Sequence, residues 1–278
     1  MSQIFGSYWF LLVVTMLSVL GAVGGLFLVR KYVSHEALRL NHEVAGALLS
    51  IIGTLYSVVL GLVVVGALNT FQQARITVAQ EANCLHDIFH LAAGLPAPIE
   101  KHVREDCLEY ATVLIKDEWK AMETGNYSDR AHLLVNDMWN TLVRYQPQTQ
   151  KESDLHASLL AEMDALDDNR QVRLNQASPV YDFIIWTVLF GGGAVLVFFT
   201  YFFAVKKLMV QVIMTAMVAL ILSLNLTIVA MFGYPYSGDV HVPPDPFSSV
   251  LNKISKEIEL DRNKTGDPSM KQISDPTP

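Results

Sequence analysis

The sequence predicts an all-α membrane protein with four transmembrane helices and a helical bundle inserted between the second and the third. The chain of 278 residues is 51% hydrophobic, and its mean hydropathy of +0.32 is high for a soluble protein. Its apolar residues are concentrated in four stretches, each long enough to cross a bilayer. Between the second and third stretches, apolar residues instead recur at helical spacing among polar ones.

The first two transmembrane helices are predicted within residues 1–68. The first covers residues 8–29. The second runs without a charged residue over 44–68 and meets no proline until Pro96. Because an apolar stripe continues past residue 68, we expect one helix of roughly 75 Å that ends near Gly94. That stripe consists of Phe71, Val78, Ala82, Leu85, Phe89 and Ala92.

Residues 69–182 predict four helices joined by short turns. Pro96 and Pro98 form the first turn, Gly125-Asn126 the second and Pro147 the third. Helices that are joined by short turns pack antiparallel, so this segment is expected to be a helical bundle.

A transmembrane hairpin, helices three and four, is predicted over 183–232. Residues 233–262 follow as a segment rich in turn residues and a short amphipathic helix that starts at Asp245-Pro246. The composition of residues 263–278 predicts disorder.

The basic residues of the short loops predict the orientation in the membrane. Loops 30–43 and 206–207 lie on one side of a four-span protein, and cytoplasmic loops are enriched in Lys and Arg. We therefore expect a bacterial inner-membrane protein with both termini and residues 69–182 in the periplasm. The basic residues concerned are Arg30, Lys31, Arg39, Lys206 and Lys207.

Small residues repeat on one face of the second transmembrane helix. Such a face lets helices pack closely in lipid, which is the simpler interpretation. If copies of the helix surrounded an axis, the same face would line a pore, and a ring of Glu43 carboxylates at its mouth would favour cations. The candidate pore-lining residues are Glu43, Gly46, Ser50, Gly53, Thr54, Ser57 and Gly61.

A helical hairpin that turns at Pro96 would bring two groups of residues together, one of histidines and acids and one of cysteines. A hairpin there would place His90 near His102, and His86 near Glu105 or Asp106, which suits a metal site or a pH sensor. Solvated surface histidines are commoner, so no metal site is assigned from the sequence. The same hairpin places Cys84 and Cys107 at one height, which predicts a disulfide if the compartment is oxidising. The alternative is two free cysteines that pack as small apolar residues.

Composition and motifs narrow the functional classes. The net charge of −7 argues against a nucleic-acid partner. No phosphate-binding loop, dinucleotide fingerprint, zincin motif or nucleophile elbow is present, and the four spans contain no Asp, Glu, Lys or His. We therefore expect neither an enzyme, nor catalytic residues, nor a cofactor.

Several short motifs together resemble the bestrophin-like domain family, membrane proteins without a settled function. The motifs occur in this order: residues 41–46 (NHEVAG), Glu118-Trp119, residues 234–239 (YPYSGD) and residues 244–247 (PDPF). The resemblance covers roughly residues 40–250, and the family is named after bestrophins, which are pentameric anion channels. It implies a homo-oligomer in a lipid bilayer that conducts inorganic ions.

The sequence therefore favours an oligomeric ion channel. The resemblance suggests anions, whereas Glu43 and the acidic segment 69–182 suggest cations, so the selectivity stays open. The alternative is a membrane sensor or scaffold whose periplasmic bundle signals through a partner.

Overall fold

A computed structural model describes residues 7–32, 42–178, 181–203, 205 and 207–265 of the chain. All regular secondary structure within these ranges is helical, which confirms the predicted all-α class. The predicted disordered tail lies outside the described residues, except that the last helix extends to Thr265.

Nine α-helices and one π-helical segment make up the described chain. The π-helical segment, Leu114–Glu118, interrupts what the sequence predicts as one helix over about 99–123. The α-helices are α1 (Tyr8–Tyr32), α2 (His42–Ala92), α3 (Ala97–Val113), α4 (Trp119–Met122), α5 (Asp129–Arg144), α6 (Gln150–Gln176), α7 (Phe183–Tyr201), α8 (Leu208–Phe232) and α9 (Asp245–Thr265).

Four of these helices, α1, α2, α7 and α8, are long and apolar enough to cross a membrane. They coincide with the four predicted spans. Helix α2 also confirms the predicted continuation, because it runs unbroken for 51 residues. Helices α3 to α6 lie between the second and third of these apolar helices in the chain.

The chain divides into two compact units. The first unit is drawn from Met1–Gln72 and Pro179–His241, and the second from Gln73–Ser178 and Val242–Pro278. Helix α2 contributes to both, and the segment that carries α9 belongs to the second unit.

In the first unit, α1 packs along α8 through small hydroxyl-bearing residues. Ser223 donates a hydrogen bond of 3.1 Å to the hydroxyl of Thr15, and Thr227 lies 3.5 Å from the same oxygen. Tyr201 of α7 donates to the carbonyl of Ala22 at 2.7 Å. Hydrogen bonds between apolar helices supply an attraction that burial from lipid does not provide.

Helix α2 contacts α7 mainly through Tyr56. The Tyr56 hydroxyl donates to the carbonyl of Leu189 at 2.7 Å. A Cβ atom at Gly192 would overlap the Tyr56 ring, whereas one at Gly191 would meet nothing within 4 Å. Only a glycine permits this close approach, and Leu60 and Leu196 complete the buried contact.

The turn after α8 is closed by Gly238 and Asp239. Gly238 adopts a positive φ of 85°, a conformation that costs glycine little. Asp239 accepts a hydrogen bond of 2.7 Å from the backbone N–H of Tyr8, the first residue of α1. A carboxylate there satisfies a free N–H group and opposes the positive end of the helix dipole.

The second unit is built around α3. Helix α5 packs on α3 and on α6, and α9 contacts α3 and the π-helical segment. Ser128 caps α5 by accepting from the N–H of Ala131, and Thr149 caps α6 by accepting from that of Glu152. The predicted turns at Gly125 and before Pro147 fall at the ends of α4 and α5.

Candidate functional site

Within one chain, α2 leaves a small hydroxyl-bearing face uncovered. Ser50, Thr54, Ser57 and Gly61 are all exposed, and their spacing of four, three and four residues places them on one side of the helix. Thr54 donates to the carbonyl of Ser50 at 2.7 Å, and Ser57 donates to that of Thr54 at 2.8 Å. The hydroxyl protons of Thr54 and Ser57 are thus used within the helix, while lone pairs of the hydroxyl oxygens remain available on the open face.

Two of the other candidate pore residues lie at the covered edge of this face. Gly46 and Gly53 are half-buried: a Cβ atom at Gly53 would lie 3.7 Å from Leu196, and one at Gly46 would lie 3.9 Å from Phe203. These two glycines therefore pack against their own chain. The side chain of Glu43 lies outside the described residues.

The side chain of Asn225 in α8 forms a hydrogen bond within its own helix. Its amide donates to the carbonyl of Ile221, one turn earlier in the same helix, at 2.9 Å. A polar side chain in a membrane helix usually finds a partner on a neighbouring helix.

A cluster of charged residues is buried in the core of the second unit. Arg173 donates to Glu81 at 3.0 Å and to Glu118 at 2.7 Å, and Arg170 donates to the second oxygen of Glu118 at 3.0 Å. Tyr110 donates to Glu81 at 2.7 Å. The four ionic side chains carry two positive and two negative charges, and none of them is more than 4% exposed.

This cluster shifts the protonation equilibria of its members. Burial raises the pKa of Tyr110, and the neighbouring Glu81 carboxylate raises it further. Burial alone would lower the pKa of Arg173, but its carboxylate partners outweigh that effect and raise it. The arginine is therefore charged and the tyrosine neutral at any physiological pH.

Two of the short sequence motifs, Glu118-Trp119 and residues 244–247, are in contact beside this cluster. The indole N–H of Trp119 donates to the carbonyl of Val242 at 2.8 Å, and its ring meets that of Phe247 edge to face at 5.8 Å. The guanidinium of Arg173 lies 5.2 Å from the centre of the Trp119 ring. Residues that are far apart in the sequence are thus joined around one buried charge.

Sequence reasoning missed Glu81, Arg170 and Arg173. The available signal was a charge at a position that helical spacing assigns to the core. Arg170 and Arg173 follow Leu166 by four and seven residues on the apolar stripe of α6, and Glu81 lies between Val78 and Leu85 on that of α2.

The histidines form two separate groups, and the pairing predicted from a symmetric hairpin is not observed. His86 and His90 meet Glu257 of α9, whereas His102 meets Asp106 and, on α5, Asp137. A hairpin fixes only the heights of residues along its two helices, and the histidines of α2 and α3 turn towards different neighbouring helices.

Asp106 is the most perturbed acid of the second group. It is 6% exposed, and its Oδ2 atom has no hydrogen-bond partner, although His102 Nε2 lies 3.7 Å away. Burial raises the pKa of Asp106 to about 6; His102 opposes that rise, and Asp137 adds to it. The group therefore titrates between mildly acidic and neutral pH.

The predicted disulfide between Cys84 and Cys107 is not formed, and both cysteines are free. The Sγ atom of Cys107 faces α5, 3.8 Å from the sulfur of Met138, whereas Cys84 faces Asn169 of α6. Burial raises the pKa of Cys84 to about 11, so its thiol stays protonated at neutral pH. Equal heights on a hairpin did not bring the two side chains together.

One family model matches the chain. The model describes a bestrophin-like domain and matches residues 16–247, which is well over half of the sequence. No curated protein and no solved structure is significantly similar to the chain.

We predict that Arg173→Met strongly destabilises the second unit. The substitution leaves Glu81 buried without its ionic partner, and breaking a buried ion pair on one side costs about 3–5 kcal/mol. Thermal unfolding of the purified protein measures the loss.

Arg130→Met is the matched control, because Arg130 and Glu109 form an ion pair at 2.6 Å that is 66% and 43% exposed. An exposed pair of this kind contributes at most about 1 kcal/mol. Equal losses in the two variants would show that the buried cluster has no special role.

We predict that Asp106→Asn stabilises the protein above pH 6. The folded pKa of about 6 exceeds the ordinary value of 3.8, so the folded state binds the proton more tightly. The contribution of Asp106 to stability is therefore greatest below about pH 4 and is lost as pH rises through 6. The variant lacks this loss, which amounts to about 3 kcal/mol at pH 7.5.

The measurement is the unfolding temperature of both proteins between pH 4 and 8. Asp137→Asn is the control, because Asp137 is 56% exposed and a much smaller effect is expected. Parallel curves for the wild type and Asp106→Asn would contradict the prediction.

Proposed function

The chain belongs to the bestrophin-like domain family, and on that premise we propose that it assembles into an oligomeric ion channel in a membrane. The four apolar helices support the membrane part of the proposal. The channel part is supported by the uncovered face of α2.

The observation that carries the proposal is the contrast between two sides of α2. One side is closed by Tyr56 and Leu60, which are buried against their own chain. The other side exposes small residues and hydroxyl oxygens in a helix that is otherwise apolar. Contact with lipid stabilises such a face only weakly. A second copy of the helix, or a file of water and ions, would contact it more closely.

We propose that Ser50, Thr54, Ser57 and Gly61 line the pore. Their small side chains leave room at an axis, and their hydroxyl oxygens offer lone pairs to partly dehydrated ions. We propose no catalytic role for these pore-lining residues, and neither an enzymatic activity nor a cofactor for the protein.

The proposed selectivity has two alternatives. The family name refers to anion channels and favours anions. The ring of Glu43 carboxylates that an oligomer would create at the mouth of α2 favours cations. A reversal potential measured under a salt gradient distinguishes them.

We propose that the protein lies in a bacterial inner membrane with its second unit in the periplasm. The support is the concentration of Arg30, Lys31, Arg39 and Lys207 in the short loops.

A membrane sensor is the second candidate function. It is favoured by Asp106, whose pKa of about 6 would make the second unit responsive to an acidic environment. Such a sensor would need a partner to carry its output, because the loops proposed to be cytoplasmic are short.

We predict that Ser57→Leu abolishes the conductance of reconstituted protein, since a branched apolar side chain would fill the proposed pore. Single-channel recording in planar bilayers measures the effect. Cross-linking in the membrane verifies that the variant still assembles.

Val59→Leu is the matched control. Val59 is exposed and points about 200° away from Ser57 at 100° per residue, so its enlargement leaves the pore open. If Ser57→Leu assembles and conducts like the wild type, this face does not line a pore.

For the orientation, we expect a reporter that is active only in the periplasm to be active when fused at Tyr127, in the turn before α5. A cytoplasmic reporter at the same position should be silent, because positively charged loops are retained inside. The opposite pattern would reverse the proposed topology.

A further inference from the structure

Two histidines of α2 and one glutamate of α9 bring three ligand atoms together on the surface of the second unit. The Nε2 atoms of His86 and His90 are 3.0 Å apart, and Glu257 Oε2 lies 3.3 Å from His90 Nε2. All three atoms lie within 4.8 Å of one another. The side chains are 25%, 44% and 39% exposed, so an ion can reach them from solvent.

We propose that His86, His90 and Glu257 form a binding site for a divalent transition metal ion of the zinc class. Zinc binds imidazole nitrogen and carboxylate oxygen at about 2.0–2.2 Å, so neighbouring ligands in a tetrahedral site are about 3.3 Å apart. The two short separations are close to that value. The site offers three protein ligands and leaves one position for water.

The spacing of the two histidines supports the proposal. Residues four apart lie on the same face of a helix, which lets both rings reach one ion without distorting the backbone. Their ring centres are only 4.3 Å apart. Without a metal, one of these nitrogens can donate to the other at 3.0 Å; with a cation between them, both can act as acceptors.

The surrounding charge also favours a cation. Asp87 Oδ1 lies 3.6 Å from Nδ1 of His86, the nitrogen that is not turned towards the cluster. The charge of a carboxylate on that side favours a proton on Nδ1, which leaves the lone pair of Nε2 for the ion. Asp87 and Glu257 together supply two negative charges, which one divalent ion neutralises.

The donor atoms distinguish between classes of metal. Two imidazoles and one carboxylate match zinc and its neighbours in the first transition row. Magnesium and calcium prefer sites made of oxygen atoms alone, whereas among the described residues this site groups two imidazoles with the carboxylate of Glu257.

Metal binding would join α9 to α2. Glu257 lies just past the middle of α9, and the two histidines lie in the last two turns of α2. The bound ion would add a cross-link between segments that are far apart in the sequence, and would stabilise the folded second unit by an amount that grows with the logarithm of the ratio of the free ion concentration to the dissociation constant. This inference concerns the second unit alone and does not depend on channel activity.

The test uses the full chain, purified in detergent and stripped of metal with a chelator. Titration with zinc chloride, followed by calorimetry and by metal analysis after desalting, is expected to give about one ion per chain. His86→Ala/His90→Ala should weaken binding by about 100-fold or more, and Asp87→Asn by about 10-fold. Zinc should slow hydrogen exchange in α9 of the wild type only.

Two matched variants control the test. His132→Ala removes another helical histidine, whose neighbour four residues later is Asn136, and should bind zinc like the wild type. His102→Ala tests the second histidine group and should also retain binding. The far-UV spectrum without metal confirms that each variant is folded.

The proposal is overturned by any of three results: a wild type that binds no zinc, a histidine double variant that is folded and binds zinc like the wild type, or a site that is lost with His102→Ala.

Discussion

The second unit depends on the neutralisation of one charge. Arg173 is fully removed from water. The free-energy cost of burying a charge without a partner would be comparable to the whole free energy of unfolding of a domain of this size. Glu81 on α2 and Glu118 at the end of the π-helical segment neutralise it, and Arg170 balances the second carboxylate. The mutual positions of α2, α6 and the π-helical segment are therefore set by hydrogen-bond geometry, which is far less tolerant than apolar contact.

The helices were predictable because each carries a clear local signal. Unbroken apolar stretches predicted the four long helices, and prolines and glycines predicted the turns between the others. Along α6, apolar spacing predicted the buried residues only as far as Leu166. The arginines beyond it could not be assigned, because the residues that neutralise Arg173 lie 55 and 92 positions away in the chain. The π-helical segment has no signal in the sequence for a comparable reason, since it positions Glu118 for a partner on α6.

Pairings that depend on rotation about a helix axis were not predictable. A hairpin turn fixes which residues share a height, and this led to the expected disulfide and to the expected contact of His90 with His102. The structure gives Cys107 a sulfur neighbour on α5 and gives His90 a carboxylate on α9. The same limit applies to residues 44–68 of α2, where no charged residue distinguishes one side of the helix from another. The contact of Tyr56 with Gly192 shows which side of that segment faces its own chain.

The long separations of these contacts bear on how the protein is made. In the first unit, the N–H of Tyr8 is capped by Asp239, 231 residues later, and α1 meets its partner α8 only after the helices between them have been synthesised. In the second unit, Glu81 stays without its arginine until α6 has emerged. Neither unit can complete its core from its early segments alone. Nascent α1 and α2 must wait in the insertion machinery or in lipid, and a truncated chain that ends before α6 would expose an unpaired glutamate to quality-control proteases.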